Sequence, residues 1–325
     1  MTEGGVRWGI LGTANIARAS FLPGLRAAGG RPYAVAGRDE ARTAAWAADN
    51  QIDHALTGYE ALLDDPRVEA VYVPLPNSLH LAWAVRALEA GKPVLCEKPL
   101  GLDAAQVETM TAASVRTGVP LWEAFVFMFR PHFATMSGWV RDGAIGTIRE
   151  IDSRFGFRLR HTENIRLRPE LGGGALYDVG CYPVHFASLL FGGAGESAAV
   201  LVTRHAGGVD ETVSGSVAFG TGRLLFSASL NAPSDTFTRI VGDDGSITVT
   251  NPFHPGDRDQ ITLTRDREGE TTTVSAGDGL PSFAAHIAHI GRVARGEEAP
   301  RLTALETSAA TAVTIDRIRQ AGGLG

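Results

Sequence analysis

The first part of the chain alternates short apolar runs with longer amphipathic stretches. The runs show no polar alternation, which is typical of strands that are buried on both faces of a parallel sheet. The predicted strands are 6–11, 32–37, 68–75, 92–97 and 120–124. The predicted helices are 15–28, 39–49, 77–90 and 103–117. This order predicts a doubly wound α/β domain over residues 1–122.

The pattern changes after residue 122, where apolar and polar positions alternate with a period of two. The alternating segments are 147–159, 198–206, 211–219, 223–230, 238–250 and 260–266. Helical spacing is found at 174–191, 282–295 and 303–320. Period-two segments joined by Gly- and Asp-rich turns indicate an antiparallel sheet with one face open. We therefore predict an α+β domain over 123–325, with helix 303–320 packing back near the first domain.

Composition argues against two classes of binding partner, nucleic acids and membranes. The 325 residues carry a net charge of -6, whereas nucleic-acid-binding surfaces are basic. No apolar run approaches the roughly 20 residues that a membrane-spanning helix needs. The N-terminus lacks the basic and apolar segments of a signal peptide, so we expect a cytoplasmic protein without a nucleic-acid or membrane partner.

The two cysteines, Cys96 and Cys181, do not support a disulfide framework. Their spacing is also not that of metal ligands, so we predict no metal site. Both flank the motifs described below, and we assign them no chemistry.

A glycine-rich turn follows the first predicted strand. The fingerprint G-x-G-x-x-G/A here runs Gly12-x-Ala14-x-x-Ala17, and its small residues let backbone N–H groups approach a pyrophosphate. Its position between the first strand and the first helix predicts a dinucleotide-binding (Rossmann) domain. The alternative is a tight turn without a ligand. The predicted cofactor-binding residues are Gly9, Gly12, Thr13, Ala14, Asn15 and Ile16.

The end of the second strand selects the cofactor. An acid at this position usually binds the adenosine ribose hydroxyls, but this chain has Gly37 followed by Arg38. An arginine there can pair with a 2′-phosphate. Asp39 is better explained as the cap of the next helix. The sequence favours NADP and leaves NAD open.

Two opposite charges, Glu97 and Lys98, end the strand at 92–97. Ligands of a doubly wound sheet bind beyond the carboxyl ends of its strands, which is where a nicotinamide would lie. A surface ion pair is the alternative reading of an isolated Glu-Lys.

The segments "WGILGTANIA", "CEKP" and "GGGALYDVGCYPVH" together resemble the glucose–fructose oxidoreductase/inositol dehydrogenase/rhizopine-catabolism (Gfo/Idh/MocA) family over nearly the whole chain. The resemblance implies that Lys98 contacts the reacting oxygen of the substrate and that the Lys98–Pro99 peptide bond is cis. It also implies a C-terminal sheet that forms the face of a homodimer or homotetramer.

Tyr182 stands where many members of that family have histidine, so the chain resembles the branch in which a tyrosine is the acid/base. A phenol, with a pKa of about 10, is a poor base unless a nearby ammonium stabilises its phenolate, a role that Lys98 fits. Asp178, four residues before Tyr182, would orient substrate hydroxyls or Lys98. The alternative for Tyr182 is packing in the core.

The resemblance implies further site residues. Those next to the cofactor are Pro74, Leu75, Asn77, His80, Glu97 and Lys98. Those next to the substrate are Lys98, Glu123, Arg130, Asn164, Arg166, Asp178, Tyr182 and His185. For His185, packing within its helix is the alternative.

These features predict an NAD(P)-dependent oxidoreductase that acts on a carbinol or carbonyl of a sugar-like substrate, most like an aldose 1-dehydrogenase. One alternative is a nucleotide-linked ketosugar reductase, with the diphosphate bound by Arg130, Arg158, Arg160 and Arg166. Another is a trans-dihydrodiol dehydrogenase, which would suit an apolar pocket wall formed by "FVFMF" at 125–129. A more distant alternative is a cofactor-binding sensor without catalysis.

Overall fold

The computed structural model describes residues 5–161, 163–233, 236–266, 269–300 and 303–324. The chain divides into two compact units. The first consists of Met1–Gly101, Ala105–Val126 and Leu280–Leu305, and the second of Leu102–Ala104, Phe127–Gly279 and Glu306–Gly325. The pattern of strands and helices does not signal that residues 280–305 belong with the first unit.

The elements follow one another as the alternation predicts. The strands are β1 (Arg7–Leu11), β2 (Arg31–Gly37), β3 (His54–Thr57), β4 (Ala70–Val73), β5 (Val94–Cys96), β6 (Leu121–Glu123), β7 (Ile148–Gly156), β8 (Ser197–Arg204), β9 (Asp210–Phe219), β10 (Gly222–Ser229), β11 (Phe237–Gly242), β12 (Gly245–Val249), β13 (Gln260–Arg265) and β14 (Glu270–Ser275). The helices are α1 (Leu22–Ala27), α2 (Glu40–Asp49), α3 (Tyr59–Leu63), α4 (His80–Glu89), α5 (Ala104–Thr117), α6 (Pro131–Arg141), α7 (Cys181–Phe191), α8 (Ala284–Ala294) and α9 (Thr303–Ala321).

The first unit contains the predicted parallel sheet. Its order is β3-β2-β1-β4-β5-β6, and every neighbouring pair is parallel. The order reverses between β1 and β4, so the loops after these strands leave in opposite directions and open a crevice at their carboxyl ends. The predicted α/β fold of this region is confirmed.

An aromatic cluster fixes the covering helices on this sheet. Phe21, in the π-helical turn before α1, stacks on Tyr72 of β4 with ring centroids 4.0 Å apart. Phe283, just before α8, meets both rings edge to face at 5.8 and 5.7 Å. Edge-to-face and stacked contacts of this kind stabilise a core beyond simple burial. Residues 280–305 therefore join the first unit through apolar packing.

The second unit contains a sheet of order β14-β13-β12-β11-β7-β10-β9-β8 among the described residues. Neighbouring strands are antiparallel except for β7 and β10, which run parallel. The prediction of a largely antiparallel sheet is confirmed. The segment predicted at 238–250 forms two strands, β11 and β12, because the turn at Asp243 and Asp244 reverses the chain.

Sequence patterns missed four short or mixed elements. They are β3, α3, α6 and β14. β3 has four residues, and the residues of β14 are almost all exposed, so neither contains the repeated apolar positions on which pattern recognition depends. Helix α6 begins at Pro131, one residue after the apolar run 125–129, which hides its start.

Candidate active site

The turn after β1 requires its glycine. Gly12 has φ +87°, a conformation that disfavours residues with a Cβ atom, and its N–H donates to the carbonyl of Ala36 at 2.7 Å. A Cβ at this position would lie 3.0 Å from the Leu75 side chain. Thr13 and Ala14 are half-buried, and the helix that follows begins with the exposed Asn15 and Ile16. The turn thus places three small or short side chains at the carboxyl end of β1.

Two arginines and a phenol gather beside this turn. Burial raises the pKa of Tyr59 above its usual value, and the charges of Arg38 and Arg42 oppose that rise. Its hydroxyl lies 3.7 Å from the position that a Cβ on Gly12 would take. Both guanidinium groups belong to exposed residues. Two cations and a hydroxyl donor suit a phosphate group that a dinucleotide brings to this edge.

Gly37 is fixed by packing against α2. A Cβ on Gly37 would lie 2.1 Å from Oγ1 of Thr43, which donates to the carbonyl of Asp39 at 2.6 Å. Asp39 itself accepts from the Arg42 N–H at 2.8 Å, which confirms it as the helix cap. The acid that would bind ribose hydroxyls therefore cannot be accommodated at position 37 without moving Thr43.

The segment that carries Lys98 leaves β5 in a defined geometry. The Glu97 carboxylate accepts from the Tyr72 hydroxyl at 2.6 Å and from the Lys98 backbone N–H at 3.2 Å. The Lys98–Pro99 peptide bond is cis, as predicted. The Lys98 side chain is half-buried. Glu97 thus acts on the backbone that positions this lysine.

Two buried side chains hold the residues that follow Lys98. His80 is fully buried, with Nδ1 2.9 Å from the Pro99 carbonyl oxygen and Nε2 2.9 Å from that of Leu75. Burial lowers the pKa of His80, and the charge of Lys98 lowers it further. Glu123 is 4% exposed and accepts from the Leu100 N–H at 2.8 Å. These contacts let His80 and Glu123 position the backbone that follows Lys98, and their contacts with cofactor and substrate stay predictions.

The helix that carries Tyr182 begins in a glycine-lined corner. A π-helical turn (Leu176–Gly180) leads directly into α7. A Cβ on Gly173 would lie 2.5 Å from the Arg166 carbonyl oxygen, and one on Gly174, which has φ +116°, would lie 2.1 Å from Oδ1 of Asp210. These glycines make room for the protein's own backbone and for the Asp210 carboxylate.

Asp210, which sequence reasoning missed, anchors this corner from β9. Its Oδ2 accepts from the Leu176 N–H at 2.6 Å, and it is 6% exposed. Burial raises its pKa to about 6, although hydrogen bonds from backbone N–H groups oppose the rise. A carboxylate at the start of a helix satisfies N–H groups that have no partner within the helix. The sequence shows only an aspartate at the start of a strand.

Three of the predicted substrate-side residues lie together. Nε of Arg166 donates to Oδ2 of Asp178 at 2.6 Å. Asn164 accepts from the Arg166 backbone N–H at 3.0 Å, so it fixes the short turn on which the arginine sits. The Asp178 side chain is 13% exposed and that of Arg166 39%, which places the pair at the edge of this unit.

Aromatic rings surround Tyr182, which is 6% exposed. The ring centroids of Phe155 and Phe253 each lie 5.1 Å from its own, and that of His254 lies 5.6 Å away. Sequence analysis missed Phe253 and His254. The available signal was "NPFHP" at 251–255, where two prolines bracket an aromatic pair between predicted strands.

Two of the residues predicted to contact the substrate, His185 and Arg130, are buried. His185 is fully buried, and its nitrogens face the Thr311 hydroxyl at 3.0 Å and the Met128 sulfur at 3.3 Å. Burial lowers the pKa of His185 to about 3, so the ring is neutral and packs in the core, the alternative that the sequence left open. Arg130 is 5% exposed and forms a buried ion pair with Asp278.

Substitution of Gly173 by alanine should destabilise the protein by about 1–3 kcal/mol, because the new Cβ forces backbone apart at the start of the Tyr182 helix. The control is Gly138→Ala within α6, where the nearest atom is 3.7 Å away, and which should stabilise by about 0.5–1 kcal/mol. Urea denaturation measures both. Equal effects would contradict the crowding at Gly173.

The raised pKa of Asp210 predicts a pH-dependent stability. The folded protein retains a proton that the unfolded chain loses between about pH 4 and 6, so its unfolding free energy falls as pH rises through this range. The Asp210→Asn variant has no carboxyl group at this position and so lacks this pH-dependent change in unfolding free energy. The stability of the variant minus that of the native protein should therefore rise by up to about 3 kcal/mol from pH 4 to 7.

Denaturant titrations at several pH values test this expectation, with exposed Asp49→Asn as the control that should show no such trend. A difference that falls with pH would mean that the native fold stabilises the Asp210 carboxylate.

Comparison with known families agrees with both parts of the chain. Residues 6–125 match the family described as "Oxidoreductase family, NAD-binding Rossmann fold". Residues 133–248 match the GFO/IDH/MocA C-terminal domain. The two matches cover the parallel sheet and most of the antiparallel one.

Individual relatives extend over the full length. The chain is 33% identical to D-xylose 1-dehydrogenase (NADP(+)) 2 of Haloferax volcanii, covering 98% of each protein. It is 35% identical to dTDP-3,4-didehydro-2,6-dideoxy-alpha-D-glucose 3-reductase of Streptomyces violaceoruber, covering 98% of this chain and 96% of that one. The 3-ketoreductase KijD10 of Actinomadura kijaniata, solved with NADP and TDP-benzene, superposes with a TM-score of 0.87 at 30% identity over 98% of both chains. The chain therefore belongs to the GFO/IDH/MocA family of oxidoreductases.

Proposed function

We propose that the protein is an NADP-dependent oxidoreductase that oxidises the C1 hydroxyl of a free aldose, or runs the reverse reaction. The observation that carries this proposal is the full-length similarity to an NADP-dependent D-xylose 1-dehydrogenase in a chain that has Lys98, Asp178 and Tyr182 at the family's motif positions. Spectrophotometric detection of reduced NADP with a panel of aldoses, D-xylose first, tests it.

The residues at the carboxyl ends of β1 and β2 fit NADP. The glycine turn at Gly12 suits a pyrophosphate, and Arg38, Arg42 and the Tyr59 hydroxyl suit a 2′-phosphate. Thr43 blocks the acid that NAD-specific sites place at position 37. We propose that Pro74, Leu75 and Asn77, at the end of β4, line the same crevice. When bound, NADP accepts the hydride from the substrate carbon.

We propose that Tyr182 removes the hydroxyl proton as the hydride departs and that the Lys98 ammonium hydrogen-bonds the same oxygen. A positive charge at that oxygen stabilises the developing alkoxide and favours the ionised phenol. Asp178, held by Arg166, would accept a hydrogen bond from a neighbouring hydroxyl of the substrate. In the reverse direction Tyr182 returns the proton to the carbonyl oxygen.

The arginines argue for a free sugar over a nucleotide-linked one. A diphosphate needs cationic side chains that are available to it, but Arg130 is buried against Asp278 and Arg166 is paired with Asp178. Of the four arginines considered, the two that are exposed are Arg158 and Arg160. Reduction of a nucleotide-linked ketosugar is therefore the second candidate, supported by the similar reductases.

The apolar run 125–129 gives little support to a dihydrodiol substrate. Phe125 and Phe127 are fully buried, Val126 is 3% exposed, and Met128 contacts His185. These side chains pack in hydrophobic cores, so most of the run does not form an apolar pocket wall.

We propose a cytoplasmic homodimer or homotetramer that associates through the second sheet. No helix in the described ranges is long and apolar enough to cross a membrane. Strand β8, at one edge of the sheet, has Leu201 82% exposed, and an apolar side chain at such an edge favours association.

Tyr182→Phe should lower kcat for the aldose at least about 100-fold, because it removes the proton-transferring hydroxyl while keeping the ring. Tyr177→Phe, in the π-helical turn that leads into α7, is the matched control. Its hydroxyl donates to the Leu102 carbonyl at 2.6 Å, and burial raises its pKa to about 12, so its loss should cost stability and leave kcat within about twofold. Full activity in Tyr182→Phe would contradict the assignment.

Arg38→Ala should raise the KM for NADP about 10- to 100-fold and change that for NAD little, since a charge-assisted hydrogen bond contributes about 1.5–3 kcal/mol. Arg31→Ala is the control, because Arg31 lies at the other end of β2 and pairs with Asp53. Steady-state kinetics of each variant with NADP and with NAD measure the two KM values. A parallel loss for NADP and NAD would contradict a 2′-phosphate contact.

A further inference from the structure

The loop between β12 and β13, residues 250–259, is held closed by its own polar side chains. The Thr250 hydroxyl donates to Oδ1 of Asp259 at 2.8 Å, and the Gly256 N–H donates to its Oδ2 at 2.8 Å. The Gln260 N–H donates in turn to the Thr250 hydroxyl at 3.0 Å. These hydrogen bonds at the base give the loop a defined conformation. The residues at its tip therefore have fixed positions.

The tip is anchored to the protein at two points. Phe253 is fully buried and stacks on Phe155 of β7, with ring centroids 5.4 Å apart and planes at 17°. Nε2 of His132, on α6, lies 2.8 Å from the Pro252 carbonyl oxygen. Burial lowers the pKa of His132, so the neutral ring donates from Nε2 to this carbonyl. The buried His132 thus fixes the loop.

His254 follows Phe253 directly, and Asn251 fixes its backbone. Its backbone N–H donates to Oδ1 of Asn251 at 3.2 Å and its carbonyl accepts from Nδ2 of Asn251 at 2.7 Å. The residue is exposed, yet its ring centroid lies 5.6 Å from that of Tyr182, with an interplanar angle of 67°. The ring of Phe155 is 5.9 Å away. The loop therefore presents an imidazole beside the phenol ring.

This placement is more than packing requires. Phe253 already packs against both Phe155 and Tyr182, and a ring needed only for packing would be buried as Phe253 is. An exposed imidazole offers one donor and one acceptor in its neutral form, which matches a hydroxyl group that both donates and accepts. An apolar diol ring offers fewer such groups than an aldose does.

We propose that His254 is a substrate-binding residue that hydrogen-bonds a hydroxyl next to the carbon served by Tyr182, and that it selects hydroxylated sugars over apolar diols. This inference rests on the proposed function, because it requires the substrate to react at Tyr182. Asn251, which holds both backbone groups of His254, is a positioning residue for it.

The test compares His254→Phe with the native protein on D-xylose and on a trans-dihydrodiol of benzene. Phenylalanine keeps a ring beside Tyr182 and removes both nitrogens. We expect the KM for the sugar to rise about tenfold with kcat within about twofold, as loss of one hydrogen bond worth about 1.4 kcal/mol implies. The kcat/KM for the diol should stay unchanged or rise. His254→Asn, which retains a donor and an acceptor, should recover part of the sugar KM.

Asn251→Ala tests the supporting contact and should raise the KM for the sugar by a smaller factor than His254→Phe, at unchanged kcat. Equal changes on sugar and diol, or a fall in kcat at constant KM, would overturn the role of His254 alone. A native protein that turns over neither substrate would overturn the proposed function, and this inference with it.

Discussion

The hydrogen bond from the Leu176 N–H to the Asp210 carboxylate determines where the helix carrying Tyr182 begins. The bond is 2.6 Å long and buried, and it satisfies a backbone donor that the helix itself cannot. It explains the glycine at 174, since a Cβ there would overlap the carboxylate. A π-helical turn containing Asp178 follows at once. The start of the helix and the glycines before it are thus consequences of one polar contact from β9.

The segment around Lys98 is organised by the same principle. Three buried side chains hold the backbone around the lysine. Tyr72 donates to the Glu97 carboxylate, which accepts from the Lys98 N–H. Glu123 accepts from the Leu100 N–H, and His80 contacts the Pro99 carbonyl oxygen. All three side chains are buried, and a buried polar group without a hydrogen bond costs free energy. The positions of their partners are therefore well defined. A reactive group placed on a rigid backbone loses less freedom when it binds a substrate.

Ion pairs inside the second unit determine which of its arginines are available to bind a ligand. Arg130 looks like a phosphate ligand in the sequence, but a buried guanidinium needs a carboxylate, and Asp278 supplies it. Arg166 is half-exposed, and its guanidinium is paired with the Asp178 carboxylate. In both cases the fold has already paired the charge of an arginine that the sequence alone shows as an isolated cation.

The sequence by itself determined the features that follow from local rules. The alternation of apolar runs fixed the parallel and antiparallel sheets, Gly12 and Asp39 marked a turn and a helix cap, and the motifs located Lys98 and Tyr182 in the chain. Tertiary structure decided the rest, because burial and pairing depend on residues far apart in sequence. It buried His185 against Thr311, set Asp210 at the helix start, and brought His254 to Tyr182. No local pattern records such contacts, since each partner alone has the properties of an ordinary polar residue.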